Sequence, residues 1–136
     1  MKVAMVISRE IPLGLIANTA AVLGMSLSQL CKETIIGPDI TDGSGQIHRG
    51  ITSQAIPVLS AAREQLKALR DKIYDSAYSD VTVIDFSEVA QKCLDYDHYT
   101  KLLAAQASSD LYYLGVCVYG PTKKINKLTG SLSLLR

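Results

Sequence analysis

Lys2-Val3-Ala4-Met5-Val6-Ile7-Ser8 opens the chain with an unbroken apolar run, and the turn Glu10-Ile11-Pro12-Leu13-Gly14 parts it from the next segment. A strand with one wet face alternates apolar and polar residues, so an uninterrupted apolar run of strand length marks a strand covered on both faces. Lys2–Ser8 is therefore expected at the centre of a sheet. A helix is read from about Leu15 to Leu30, whose Ala17, Ala20, Ala21 and Gly24 leave little bulk between helix and sheet. The stretch from Ile11 to Cys31 carries no charge, and a membrane span needs ~20 mostly apolar residues. Pro12, Asn18, Thr19, Ser26, Ser28 and Gln29 interrupt it, however, and a helix inside an α/β sandwich fits better.

Outward from this unit, Thr34-Ile35-Ile36 is a short apolar run ended by Gly37-Pro38-Asp39. The segment Ile40 to Gly50 contains Asp42-Gly43-Ser44-Gly45, a turn signal between extended arms, and reads as a protruding hairpin. Ala55 to Leu59 is a short strand, after which Ser60 can cap a helix with Ala62, Leu66, Leu69 and Ile73 at helical spacing. Arg63, Lys67, Arg70 and Asp71 are expected on the wet side of that helix. Val81 to Phe86 is a β-branched run that passes into a helix at Ser87-Glu88. Asp97 can cap a further helix carrying Tyr99, Leu102, Leu103 and Gln106; Leu111 to Tyr119 is a long strand; and Gly120-Pro121 opens a short helix. Gly130 ends that helix before a final strand, Ser131 to Leu135. Strands alternating with helices imply α/β architecture, a three-layer α/β/α sandwich around a mixed, mostly parallel sheet.

The 136 residues suit a single domain, 1–136. With 48% hydrophobic and 20% charged residues, neither disorder nor a membrane bundle is indicated. The net charge of +1 offers no field to draw in nucleic acid or anionic lipid, so neither is expected as a partner. Asp110 is the last acidic residue, and Lys123, Lys124, Lys127 and Arg136 follow it. Cys31, Cys93 and Cys117 are odd in number and lack C-x-x-C spacing, which suggests buried thiols rather than a disulfide framework or zinc. Too short an apolar run precedes Arg9 and Glu10 for a secretory signal, and a cytoplasmic location is expected.

Few residues present themselves for chemistry. His48 and His98 have no partner at metal-ligand spacing, and there is no nucleophile elbow, phosphate loop or dinucleotide fingerprint, so no metal and no cofactor is expected. Asn18 and Thr19 lie in the early turns of the first helix, where polar side chains either complement its positive end or face a bound group. Asp85 is placed at the C-terminal end of a strand, where ligands gather in open α/β sheets, and it can equally cap the next helix. Gly14 permits close backbone approach, and Asp39 on its turn could close the same cleft.

From Tyr119 onward the sequence Tyr-Gly-Pro-Thr-Lys-Lys-Ile-Asn-Lys-Leu-Thr-Gly-Ser-Leu-Ser-Leu-Leu resembles the closing segment of type II peptidyl-tRNA hydrolases. The order of Thr19-Ala20-Ala21-Val22, Pro57-Val58-Leu59 and Val81 to Asp85 is similar too. The hairpin from Gly37 to Thr52 and the insertion from Asp95 to Ser108 fall outside that likeness. With Gly37-Pro38-Asp39 and the C-terminal Leu-Leu-Arg, these additions look like a bacterial family of uncharacterised proteins that shares the hydrolase fold. The resemblance implies an α/β/α domain, often a homodimer, and no activity to import. The hydrolases carry a lysine at the start of the first helix and a histidine along it, where this chain has Leu13-Gly14-Leu15-Ile16 and Thr19. Of their Asp-Ala-Gly-Arg-Thr motif only the aspartate matches, in Asp85-Phe86-Ser87-Glu88-Val89. Loss of one charge-stabilising donor commonly costs ~100-fold or more, so hydrolysis by that route is not expected.

The leading functional expectation is a small-ligand-binding or weakly catalytic domain using the ancestral cleft through Gly14, Asn18, Thr19, Asp39 and Asp85. One alternative is a hydrolase with a relocated site, Asp85 or Asp39 acting as base and Lys123 or Lys124 supplying positive charge. The other is a non-enzymatic interaction protein whose hairpin meets a partner.

Overall fold

A computed structural model describes the backbone of residues 1–136 and the side chains of all but 32–34. Strand β1 spans Lys2–Ser8 and is buried from Val3 to Ser8, as its apolar run requires. The first helix, α1, spans Leu13–Ile35, longer than the sequence reading at both ends. Pro12 starts it by accepting bonds from the Leu15 and Ile16 amides. Near the end, Cys31 leaves helical geometry (φ −124°, ψ 23°). The Ser53 amide and hydroxyl both donate to the Ile35 carbonyl, satisfying an otherwise orphaned helix-end acceptor.

The hairpin forms as expected from β2 (Ile40–Thr41) and β3 (Ile47–His48). Gly45 takes a left-handed φ of 85° at the turn, which favours glycine. Asp42 organises the loop, accepting from the Ser44 and Gln46 amides and meeting His48 Nε2 at 2.8 Å. The His48 contact and then the two amides hold the Asp42 carboxyl below its ordinary range.

Strand β4 (Val58–Ala61) lies beside β1 and leads into helix α2 (Arg63–Lys72). Ser60 is inside the strand instead of capping the helix. The α2 amides are met by Gln65 Oε1, which accepts from Ala62 N–H, and by Glu10 Oε2, which accepts from Arg63 N–H. Strand β5 (Thr82–Ser87) passes into the single-turn helix α3 (Glu88–Gln91). Helix α4 (Tyr96–Ala104) is capped by Asp95, not Asp97, through a bond from the His98 amide. Strand β6 (Tyr113–Gly120) and helix α5 (Thr122–Thr129) complete the domain. The closing strand expected over Ser131 to Leu135 reduces to two backbone bonds and one bridge, Leu59 to Leu134, against β4.

The main sheet has the order β4-β1-β6-β5. Only β1 and β4 run parallel, while β6 is antiparallel to both β1 and β5. The sheet is therefore mixed, and the mostly parallel expectation is corrected. A parallel return needs a crossover that carries the chain back along the sheet. The short helices α3 and α4 pack on each other instead, and β6 re-enters the sheet from the end where β5 left it.

Helices cover both faces. Leu23, Leu27, Cys31 and Ile35 of α1 meet Val3, Met5, Ile7 and Cys117 on one side. Leu66, Leu69 and Ile73 of α2 and its C-cap, with Ile125 and Leu128 of α5, meet Ala4, Val6, Val116 and Val118 on the other. The Leu13–Cys31 stretch is long and apolar enough to cross a membrane by length and composition, and here its inner stripe lies on the sheet. Its outer face leaves Leu13 and Met25 80% and 81% exposed.

Candidate functional site

The structure does not gather the sequence-derived candidates into one site. Thr19 is fully buried, its hydroxyl donating to the Leu15 carbonyl at 2.7 Å and its methyl pressed toward Gly115 of β6. Asn18 and Gly14 are exposed on α1, and a Cβ at Gly14 would meet nothing within 4 Å, so no close approach depends on that glycine. Asp39 braces the hairpin base by accepting from Arg49 Nη1 at 2.7 Å and the Gly50 amide at 2.8 Å.

Asp85 pairs with Val116 across β5 and β6, which places it on the α2 face, whereas Thr19 is on the α1 face. Its carboxylate accepts from Arg70 Nε at 2.7 Å. It caps nothing, because Ser87 takes that role by accepting from the Ala90 amide. Of the lysines named for a relocated site, Lys124 already binds Asp80 and the Ala77 carbonyl, both at 2.6 Å.

The basic side of α2 also departs from the wet face expected for it. Arg63 donates to both oxygens of Glu88, at 2.6 and 3.0 Å, and stacks 3.6 Å above Tyr112. Lys67 reaches Asp71 and the Leu111 carbonyl, and Arg70 lies 4.1 Å over Tyr74. Helical spacing places these cations correctly on one stripe, but nothing local announces that Asp85, Glu88 and Tyr112 stand opposite. Together they form a neutralised polar seam that fixes α2 on β5 and β6.

The cavity with ligand-like walls is on the α1 side. Val22 and Ser26 of α1, Ile84 to Phe86 of β5, and Ala90, Cys93, Leu94, Asp95, Tyr96 and Tyr99 around α3 and α4 enclose about 420 Å³. That is within the ~300–1,000 Å³ range of small-ligand pockets. Tyr96 and Tyr99 meet edge to face, centroids 5.4 Å apart, and form an aromatic wall. Burial first, and then the Asp85 and Tyr96 charges, raise the Tyr99 pKa, against a side-chain hydrogen bond with Ser87 that lowers it. The polar residues of the lining are Ser26, Asp85, Asp95, Tyr99 and Cys93, of which Cys93 donates to the Val89 carbonyl and Asp95 accepts from the His98 amide. Among the described residues no group of three or more His, Cys, Asp or Glu is placed to hold a metal ion.

Most of this cleft escapes a reading of the sequence. Asp85 lines it, but Ile84, Phe86, Cys93 and Tyr96 present themselves there only as core, strand or insertion. The available signal is the insertion from Asp95 to Ser108, which falls outside the hydrolase likeness and supplies one wall.

The fold and cleft define an α/β/α domain with a ligand-sized pocket at one end of a mixed sheet. The chain belongs to the family described as Protein of unknown function (DUF2000), whose model matches residues 1–136. A solved structure of a protein of unknown function from Agrobacterium tumefaciens has the same fold, with a TM-score of 0.87 at 18% identity. The match covers 99% of this chain and 97% of that one. No curated protein matches the sequence.

Proposed function

We propose that this protein is a ligand-binding domain whose site is the cleft between α1, β5 and α4. The observation that carries the reading is the cleft itself, a cavity of about 420 Å³ whose lining mixes apolar and aromatic side chains with polar ones, within the size range of small-ligand sites. Binding is favoured over the relocated-hydrolase alternative because Asp85 is held in a largely buried ion pair with Arg70, while Asp39 and Lys124 meet Arg49 and Asp80 at the surface. Turnover of a model peptidyl-tRNA is not expected, since Leu13-Gly14-Leu15-Ile16 and Thr19 stand where that chemistry has its lysine and histidine. The finer fold assignment, to the type II peptidyl-tRNA hydrolase-like architecture, is part of this reading and is supported by the three layers and the parallel β1 and β4 pair.

A cytoplasmic, bacterial homodimer completes the proposal. For dimerisation the exposed Met25 of α1 and Ile40, Ile47 and Ile51 of the hairpin are the apolar residues available to an interface.

The test of the site is a fragment screen read by amide chemical shifts. Perturbations should cluster at Ile84, Phe86, Asp95 and Tyr99, and Ser26→Trp, which fills the cleft, should abolish them. Hits that map instead to the hairpin, or that survive Ser26→Trp, overturn the reading. At 100 times its dissociation constant, a true ligand should also stabilise the fold by ~2.7 kcal/mol.

A further inference from the structure

The two outer strands of the sheet end differently. On β4 the outer edge is occupied by the chain itself: Ser60 N–H donates to the Ser133 carbonyl at 2.8 Å, and Leu135 N–H to the Val58 carbonyl at 2.9 Å. Among the described residues β5, at the opposite end, pairs with β6 alone. Its sequence, Thr82 to Ser87, contains no lysine or proline, two of the devices that keep natural edges from pairing. A register shift falls only at its last step, between Phe86 and Ser87.

The cleft takes in Ile84, Asp85 and Phe86 in succession. Consecutive strand side chains point to opposite faces. Here Asp85 turns to Arg70 on the α2 face, while Ile84 and Phe86 join the α1 side. Lining by all three in succession points to the outer rim of the strand as a wall of the cavity, where the backbone groups not bonded to β6 are found. Charge adds a second constraint. Asp85 and Asp95 line the cleft with no Lys, Arg or His among the lining residues, and the Asp85 charge is already balanced by Arg70. Asp95 uses one oxygen as the α4 cap.

Resting on the cleft reading above, we propose that the ligand is an extended peptide segment that adds to β5 as a further strand, with an apolar side chain against Ile84 and Phe86 and a basic residue beside Asp95. Main-chain bonds to the open edge supply affinity in this mode of recognition, and the pockets for alternate side chains supply selectivity. The aromatic wall of Tyr96 and Tyr99 bounds the apolar pocket, and a cavity of about 420 Å³ admits a short segment and not a folded partner.

The experiment titrates positional pools of end-capped hexapeptides against the full chain by fluorescence anisotropy and maps the best binder by amide shifts. Pools that combine Lys or Arg with a branched or aromatic apolar residue should bind best, with shifts at Ile84 to Phe86. N-methylation of one alternate set of amides in that peptide should weaken binding at least ~10-fold and methylation of the other set little, because only alternate residues of an added strand bond the edge. Asp95→Asn, which keeps the helix cap, should lower affinity for the basic pools by about threefold, the size of an exposed ion pair. Equal tolerance of methylation at both sets overturns strand addition, and so does preference for acidic pools. If fragments occupy the cleft and no peptide pool binds, strand addition falls while the cleft reading stands. If peptides bind but shift only the hairpin or the outer face of α1, both fall.

Discussion

The Cγ2 methyl of Thr19 stands 2.6 Å from the point a Cβ on Gly115 would occupy, and Leu23 Cδ1 stands 3.0 Å from it. The first helix thus lies on the sheet at a distance that only a glycine in β6 permits. Gly115→Ala is expected to cost about 1–3 kcal/mol, as overpacking of a dense core does. The cost should shrink in a Thr19→Ser background, which removes the methyl and keeps the hydroxyl bond to Leu15. Urea denaturation of the four members of this cycle measures the coupling. Equal penalties in both backgrounds would show that Thr19 is not what Gly115 accommodates.

That contact also explains what the sequence could and could not disclose. The central strand, the helix after it, the hairpin and the strand entering α3 are all legible, because each rests on a local pattern of periodicity or turn residues. Thr19 reads as a polar candidate because a threonine on a helix looks the same whether its hydroxyl faces a ligand or bonds back to residue 15. Asp85 lies inside β5, which runs on to Ser87, and not at the strand end that its sequence context implies; the face it takes depends on β6, whose antiparallel direction no local pattern encodes. The cleft is formed by α1, β5 and the insertion together, and only tertiary structure puts Ser26 and Tyr96 around one cavity.

Tyr113 is 1% exposed, and among the described residues its hydroxyl meets no acceptor or donor at hydrogen-bond geometry. Burial first, and then Tyr74 and Asp85, push its pKa far above the ordinary phenol value. A buried hydroxyl without a partner contributes a desolvation penalty and no compensating bond, so removing it is nearly free or favourable. Tyr113→Phe should therefore leave stability within about 1 kcal/mol of the parent or raise it. A loss above about 2 kcal/mol in chemical denaturation would mean that the hydroxyl makes a bond worth that much, with Tyr74 as the candidate acceptor.

The three cysteines form no disulfide among the described residues and differ in access. Cys117 is 1% exposed, and burial holds its pKa at about 12, so almost none is thiolate at neutral pH. Burial also raises Cys31, though less. Cys93 is the most accessible and borders the cleft. Native labelling with iodoacetamide followed by peptide mass mapping should modify Cys93 first, Cys31 more slowly and Cys117 only on unfolding. Fast labelling of Cys117 would contradict the packing of α1 on β6. Protection of Cys93 by a cleft ligand would report occupancy directly.

The Arg63 and Glu88 pair makes a prediction about acid. The two-pronged bond from Arg63, opposed in part by burial, holds the Glu88 carboxyl below the ordinary glutamate value. A carboxyl whose pKa is depressed on folding contributes stability that is fully present above its unfolded value, ~4.3, and is lost as pH falls through the lower folded value. Glu88→Gln removes the charge at every pH and keeps the size, so it should destabilise the protein near neutral pH by about 1 kcal/mol. Below pH ~4 the difference between variant and parent should close, because the parent carboxyl is by then being protonated as well. Asp80, held below its ordinary value chiefly by Lys124, titrates in the same direction in both proteins and cancels in the comparison. Melting temperatures of the two proteins between pH ~3 and pH ~7 give the curve. A gap that stays constant across that range would mean that the Glu88 charge contributes nothing that acid removes, leaving Arg63 held by its stacking on Tyr112.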